Sequence, residues 1–327
     1  MLYVKNDCLN PWYNLALEEY LLRRKDIDED ILCLWQNANS IIIGRHQNIV
    51  AQINMKAVDE YQTKIARRMT GGGAVYHDLG NLNYTYITSY KDGNTVDFRV
   101  FANPVINALK QYGVHAELSG RNDILVDKKK ISGTAQAGIG NRLLFHGTIM
   151  YDVNVEVLSK VLHVDREKIR GKGVDSVTGR VTNLKSYLPE NVDITELKKG
   201  ILHSFLQDDK LTELILDENA KKEVLSYEQN QYGTEKWIFG ESREGEISRK
   251  KRFTGGELEA LIKTDNGIIT KCRFFGDYLG VFNSDDIAKQ LEGKLYTVDS
   301  VRDELRKYNL NQYFGNITMD EILSCIF

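Results

Sequence analysis

Strand-like and helix-like segments follow one another in this sequence in mixed order, and that irregularity limits the fold more than any other feature. Regular strand–helix alternation would build a doubly wound parallel sheet, whereas mixed runs build an α+β layer. Here I-L-C-L-W-Q (31–36) and S-I-I-I-G (40–44) come in succession, and strand-like stretches follow at 64–68, 73–76 and 82–88. A second β-rich block holds 114–118, 123–127 and 142–152, with Lys128 and Lys129 at a hairpin tip before K-I-S-G-T-A-Q runs back. The first helix is marked by Asn10 as N-cap and Pro11 at the first helical position, with Tyr13, Leu17, Tyr20 and Leu21 on its buried face. Further helices are expected over 54–61, 98–112, 154–162 and 193–206. Pro104 should kink or divide the second of these, and Gly113 should stop it. The fold class is α+β.

The charged stretch E-S-R-E-G-E-I-S-R-K-K-R (241–252) reads as a linker and hinge. It divides a domain over 1–245 from a smaller α+β domain over 246–327. In the second domain, alternating runs flank Asn266-Gly267, a hairpin signal, and helical patterns cover 284–292 and 297–307. A chain of 327 residues can bury a core without staples. Its cysteines, Cys8, Cys33, Cys272 and Cys325, are far apart, which excludes a zinc ribbon or disulfide scaffold and fits a reducing cytosol. The N-terminus lacks a signal h-region and no apolar run reaches transmembrane length, so a cytoplasmic protein with no membrane partner is expected. A net charge of -3 leaves no global basic field for nucleic acid.

The chemistry-bearing stretch is R-R-M-T-G-G-G-A-V-Y-H-D (67–78). It is neither a P-loop nor a dinucleotide fingerprint. Glycines can simply permit a turn with positive φ. Beside two arginines they also expose amides to an anion, and arginine carries planar, permanent charge suited to phosphate or carboxylate. In G-R-N-D-I-L-V-D-K-K-K-I-S-G-T-A-Q (120–136), Lys130 projects from the return strand and precedes Ser132-Gly133. Asn122 and Asp123 form an Asx turn, or Asp123 helps hold a hydrated Mg²⁺, which takes few protein carboxylates. In F-H-G-T-I-M (145–150), His146 sits on a strand, and Gly147 suggests close approach by a ligand or backbone. R-V-T-N-L (180–184) says little alone.

Together, and in this order, I-I-I-G-R-H-Q-N, A-R-R-M-T-G-G-G-A-V-Y-H-D-L-G-N, S-G-R-N-D-I, K-I-S-G-T-A-Q, H-G-T-I-M and S-V-T-G-R-V-T-N-L resemble the lipoate–protein ligase family. The resemblance continues into F-G-E-S and K-R-F-T-G-G-E-L-E and so spans essentially the whole chain. It implies a core fold shared with biotin protein ligases and related to class II aminoacyl-tRNA synthetases, plus an accessory C-terminal domain. It implies a two-step reaction with ATP and Mg²⁺. Lipoate becomes lipoyl-AMP, and the lipoyl group passes to a lysine of a lipoyl domain, either an E2 subunit of a 2-oxoacid dehydrogenase or the glycine-cleavage H protein. By resemblance, Arg68 with Gly71, Gly72, Gly73, Ala74, Val75 and Tyr76 binds ATP. Lys130 contacts both the acyl oxygen and the α-phosphate, Trp35 and His146 line the lipoyl tunnel, Asp123 is the metal candidate and His77 shapes the loop. Loops or the second domain should close over the intermediate.

Three rivals are weighed by residues. An ATP-independent lipoyl or octanoyl transferase needs a cysteine nucleophile, and no cysteine lies between Cys33 and Cys272. A biotin ligase shows G-R-G-R-x-G where this chain has G-R-H-Q-N. Retention of Arg68, Gly71–Gly73 and Lys130 argues against a non-catalytic lipoate- or adenylate-binding homologue.

Overall fold

The computed structural model describes residues 1–47, 49–89, 98–120, 122–162, 179–206, 211–239, 247–265 and 267–327. Asn48, Arg121, Asn266, the segment 241–246 of the expected hinge and the G-K-G-V-D-S-V run (171–177) lie outside the described residues. Fourteen strands occur among the described residues. They are β1 (Leu2–Lys5), β2 (Ile31–Trp35), β3 (Ser40–Ile43), β4 (Lys64–Arg67), β5 (Val75–His77), β6 (Asn81–Ser89) and β7 (Glu117–Ser119). The others are β8 (Asp123–Val126), β9 (Lys129–Ile139), β10 (Arg142–Met150), β11 (Thr212–Glu213), β12 (Ile247–Phe253), β13 (Gly256–Asp265) and β14 (Ile268–Gly276). An eight-stranded mixed sheet has the order β11-β1-β2-β6-β10-β9-β8-β7, with β1 parallel to β2 and β11 and the remaining pairs antiparallel.

Alternation along the strands gives this sheet two buried faces. Leu32 and Leu34 of β2 and Leu82 and Tyr84 of β6 pack beneath the helices Arg99–Gln111 and Ile194–Leu206. Ile31, Cys33 and Trp35 point the other way, toward Leu15, Leu21 and Leu22 of the helix Pro11–Arg23. That helix begins as the sequence predicts, with Asn10 accepting a hydrogen bond from the Trp12 amide. A small sheet, β4-β3-β5, packs beside the large one. The C-terminal part has its own sheet, β12-β13-β14, and its own core around Leu258, Phe274, Ile287, Val301, Phe314 and Ile322.

The structure refines four elements expected from the sequence. Arg99–Gln111 is one helix, with Pro104 inside it. The carbonyl that Pro104 leaves without its intrahelical donor belongs to Val100, which is 57% exposed and open to water. The hairpin tip is Asp127-Lys128, not Lys128-Lys129, and both residues have positive φ (48° and 64°), the signature of a type I′ turn. The strand expected over 114–118 is shifted to Glu117–Ser119, because Val114 is held by its amide to the Leu109 carbonyl at the helix end. Residues 247–252 are not linker or hinge but part of edge strand β12. Its basic run is paired: Lys250 and Arg252 meet Glu257 at 2.8 and 3.1 Å, and Arg249 donates to the Ile326 carbonyl.

Candidate active site

The face of the large sheet that carries Trp35 forms the floor of a cavity of about 300 Å³. Strand pairing lays its residues in rows, because directly paired residues project to the same side. Trp35 pairs with Asn83 and Asn83 with Thr148, while the Gly133 amide donates to Thr148 Oγ1 (3.3 Å). The next row is Cys33, Thr85, His146 and Ala135. The roof is Gly72–Val75, His77 and Ile42, with Leu15 from the first helix. Asn122, Asp123, Lys130 and Arg180 make the polar end, and Asp277 and Leu279 reach the rim from the C-terminal part.

Lys130 owes its place to a β-bulge. Between Ile124 and Leu125 the β8–β9 register shifts, so that Leu125 pairs with Lys130 and Ile124 with Ser132. Without the extra residue, positions 130 and 133 would face opposite sides of the sheet; the bulge brings Lys130 onto the face of Gly133. A Cβ on Gly133 would stand 2.6 Å from Lys130 Nζ, so this glycine clears a notch for the ammonium. Lys130 Nζ pairs with Asp123 Oδ1 at 2.7 Å. Its backbone is clamped by R-V-T-N-L: the Lys130 amide donates to the Arg180 carbonyl (2.8 Å) and the Thr182 amide to the Lys130 carbonyl (3.0 Å).

Arg68 is 6% exposed and turned inward on its own loop. Nε donates to Thr70 Oγ1, Nη1 to the Ile42 carbonyl, and Nη2 to the carbonyls of Gly71 (2.7 Å) and Gly73 (2.8 Å). Burial lowers its guanidinium to about 10, leaving it charged at neutral pH. In this arrangement the guanidinium shapes the glycine loop. Gly72 has φ +92°, and Gly71 lies against the Tyr278 carbonyl, which a Cβ would meet at 2.4 Å. Arg67 does the same for the preceding loop, bonding the carbonyls of Gly44, Arg45 and Gln47. We expect Arg68→Ala to lower the melting temperature and raise the ATP requirement, since each orphaned buried carbonyl costs about 1–3 kcal/mol. Unchanged melting and ATP dependence would contradict this role.

A buried network ties the loop to the floor. Thr70 Oγ1 meets His146 Nε2 (2.8 Å), and His146 Nδ1 meets Glu18 (3.0 Å). Thr85 donates to Glu18 (2.5 Å), and Trp35 Nε1 donates to Thr85 (2.7 Å). His146 and Trp35 thus share one set of partners beside the cavity. Glu18, Thr70 and Thr85 were missed in the sequence. The one available signal was a carboxylate four residues after Asn14 on an otherwise apolar helix face, where both side chains prove buried.

Of the glycine-loop residues, Gly72, Gly73, Ala74 and Val75 line the cavity, whereas Gly71 and Tyr76 do not. Period-two alternation on β5 turns Tyr76 into the cluster of Ile41, Ile43 and Ile49. The room at Gly147 is taken by the Tyr84 ring, which a Cβ there would meet at 2.4 Å, so a protein side chain explains that glycine. Asp123 is one half-buried carboxylate, and among the described residues no three His, Cys, Asp or Glu cluster to hold a metal. A single carboxylate beside an anion site does suit Mg²⁺, which is held by one or two carboxylates plus substrate phosphates.

The C-terminal part is docked on this site. The Gly276 amide donates to the His46 carbonyl (2.6 Å), the Gly138 amide to the Val281 carbonyl (2.8 Å), and Arg45 pairs with Asp285 at 3.0 Å. His46 stacks on Tyr278 with centroids 5.1 Å apart, and burial lowers its imidazole to about 3. Among the described residues no helix is long and apolar enough to cross a membrane.

Residues 10–206 match the family model of the lipoyl protein ligase A/B catalytic domain, and residues 242–326 match that of the bacterial lipoate protein ligase C-terminus. The chain is 38% identical to lipoate-protein ligase LplJ of Bacillus subtilis, with 100% of each chain covered. A crystal structure of LipL1 of P. falciparum in complex with lipoate superposes with a TM-score of 0.82 at 30% identity, covering 99% of this chain and 98% of that one. A crystal structure of lipoate-protein ligase A bound with ATP superposes with a TM-score of 0.64 at 27% identity, covering 73% of this chain and 98% of the other.

Proposed function

The chain belongs to the lipoate–protein ligase family and is a ligase that uses ATP and lipoate, and from the cavity we propose a two-step reaction through lipoyl-AMP. In the first step a lipoate carboxylate oxygen forms a bond to the α-phosphorus of ATP, and the bond to the bridging oxygen breaks to release pyrophosphate. In the second, a lysine amine of a lipoyl domain attacks the acyl carbon. The C–O bond to phosphate breaks, AMP leaves and the nitrogen loses a proton. Acceptors are E2 subunits of 2-oxoacid dehydrogenases and the glycine-cleavage H protein.

The observation that carries this reading is the position of Lys130. Its ammonium sits in the Gly133 notch at the polar end of the cavity, which is lined across the sheet as far as Trp35. Carboxylate and phosphate must meet there, and a cation between them offsets their repulsion and the charge developing at phosphorus. Gly72–Val75, which line the cavity, and Arg68 behind them form the nucleotide side, with Gly71 and Tyr76 contributing backbone position. Trp35 and His146 bound the acyl side. Mg²⁺, when bound with ATP, would be held by Asp123 and would supply further neutralisation of phosphate charge. Residues 1–245 form the catalytic domain and 246–327 an accessory domain, and contact of Leu279 with the cavity supports a closing role for the latter.

The test is incubation of the protein with ATP, Mg²⁺, lipoate and a panel of purified lipoyl domains, read by pyrophosphate release and acceptor mass. Release without any gain in acceptor mass would support adenylation alone, and no release would reject the reading. Against the thiol transferase stands the absence of any cysteine from the cavity lining. Cys33 is on the same sheet face as Trp35 but does not line the cavity, and burial pushes its thiol well up, away from the thiolate a nucleophile needs. Replacing Cys8, Cys33, Cys272 and Cys325 together with alanine is expected to leave ligation within a few-fold of wild type. Loss of turnover in a variant with a normal circular dichroism spectrum would restore the transferase.

A further inference from the structure

Two buried donors in the cavity wall have no acceptor among the described residues. His77 and Asn83 are 3% and 2% exposed, both line the cavity, and His77 Nε2 and Asn83 Nδ2 have no hydrogen-bond partner among the described residues. A chain of amides places the proton on His77. Asn14 Nδ2 faces the carbonyls of Cys8 (2.8 Å) and Gln36 (3.0 Å), which only accept, so this atom is the amide nitrogen. With two hydrogens shared among three acceptors, it also reaches Asn37 Oδ1 (2.9 Å), which turns Asn37 Nδ2 to His77 Nδ1 at 3.1 Å. His77 Nδ1 is therefore an acceptor. Burial, with Arg68 and His146 acting in the same direction, lowers the imidazole to about 3, so the ring is neutral at physiological pH. A neutral ring that accepts at Nδ1 carries its proton on Nε2. Asn83 Oδ1 accepts from Asn81 Nδ2 (2.9 Å), which leaves the Asn83 amide hydrogens unspent.

Both donors stand away from Lys130. Two inter-strand steps, about 10 Å, separate the strand of Gly133 from that of Asn83, and a third step leads to the strand of Trp35. Asn83 is paired with Trp35, and the His77 ring lies edge-on to the Trp35 ring with centroids 6.5 Å apart. Around them the wall is apolar, made by Leu15, Ile42 and Val75. A plain hydrocarbon tail in this place would leave both donors unmade, at a cost in binding. A tail ending in sulfur offers them weak acceptors and a polarizable atom against an aromatic edge.

We propose that His77 Nε2–H and Asn83 Nδ2–H form a sulfur-recognising subsite at the Trp35 end of the cavity, which selects a dithiolane-bearing acid over a plain alkanoate of the same chain length. This rests on the reading that the acyl carboxylate lies at Lys130 and its tail toward Trp35. Selection of this kind comes from the groups an analogue leaves unpaired.

The test is a one-pot competition between equimolar lipoate and octanoate, with ATP, Mg²⁺ and a lipoyl domain, read by acceptor mass. The product ratio gives the ratio of kcat/KM and does not depend on how much of the enzyme is folded. Wild type is expected to favour lipoate by about tenfold or more, and Asn83→Leu and His77→Phe are each expected to cut that preference by about tenfold. The loss should come from octanoate being handled as well as before or better. Equilibrium dialysis of the two acids gives the same ratio for a variant too slow to assay. A wild-type ratio near one, or a ratio that neither variant changes, overturns the subsite. Absence of any acyl transfer by wild type would reject the ligase reading instead.

Discussion

Replacing Lys130 with alanine is expected to lower pyrophosphate release by about 10²–10³-fold, the effect of removing one preorganised donor from a site of developing charge. The fold should survive. The side chain is 36% exposed, and the two hydrogen bonds that join residue 130 to Arg180 and Thr182 are made by backbone. Melting temperature should change little, which separates a chemical defect from a folding one. Lys130→Arg should rescue poorly. The Gly133 notch admits a slender ammonium, with a hypothetical Cβ already 2.6 Å from Nζ, and a planar guanidinium does not fit the same space. Wild-type pyrophosphate release by the alanine variant would remove Lys130 from the chemistry and with it the main support for the proposed reaction.

The second large effect is expected at a residue that touches no substrate. A Cβ on Gly44 would lie 1.9 Å from the Gly72 carbonyl oxygen and 3.2 Å from Arg68 Nη2. Backbone cannot step aside as a flexible side chain can, so Gly44→Ala must push the glycine loop off the cavity roof. Displacement of about 1 Å at a positioning element costs about 10² in rate, and overpacking of this kind destabilises by about 1–3 kcal/mol. Adenylation should fall about 100-fold, with a raised KM for ATP. Gly120→Ala is the control: it has φ +62° and, among the described residues, nothing within 4 Å of its Cβ, so it carries backbone strain without a steric clash. If both variants lose activity equally, general destabilisation and not loop position is responsible. If Gly44→Ala keeps wild-type rates, the contact with Gly72 has no functional weight.

Much of the architecture was legible because it is local. Asn10-Pro11 capped the first helix, and Gly113, at φ +79°, ended the helix over Arg99–Gln111. The mixed order of strands gave α+β, and the ordered motifs pointed to the family that the domain matches now show. Misread elements were those where a local signal had a distant partner. The basic run at 249–252 looks like solvated linker until Glu257, Asp277 and the C-terminal carbonyl of Ile326 are brought beside it. Gly147 looks like a ligand notch until the Tyr84 ring from the neighbouring strand fills it.

The sequence by itself determined which residue types are present and how they recur: a lysine after a hairpin, glycines after arginines, a histidine on a strand. Those depend on periodicity, caps and turns, which act over a few residues. Only the tertiary structure decided which way these groups face. One extra residue in β9 rotates Lys130 onto the Gly133 face, five carbonyl and hydroxyl contacts turn Arg68 into its own loop, and Glu18, 128 residues before His146, becomes its partner. Side-chain direction follows from register and packing between segments far apart in the chain, and no local pattern encodes it.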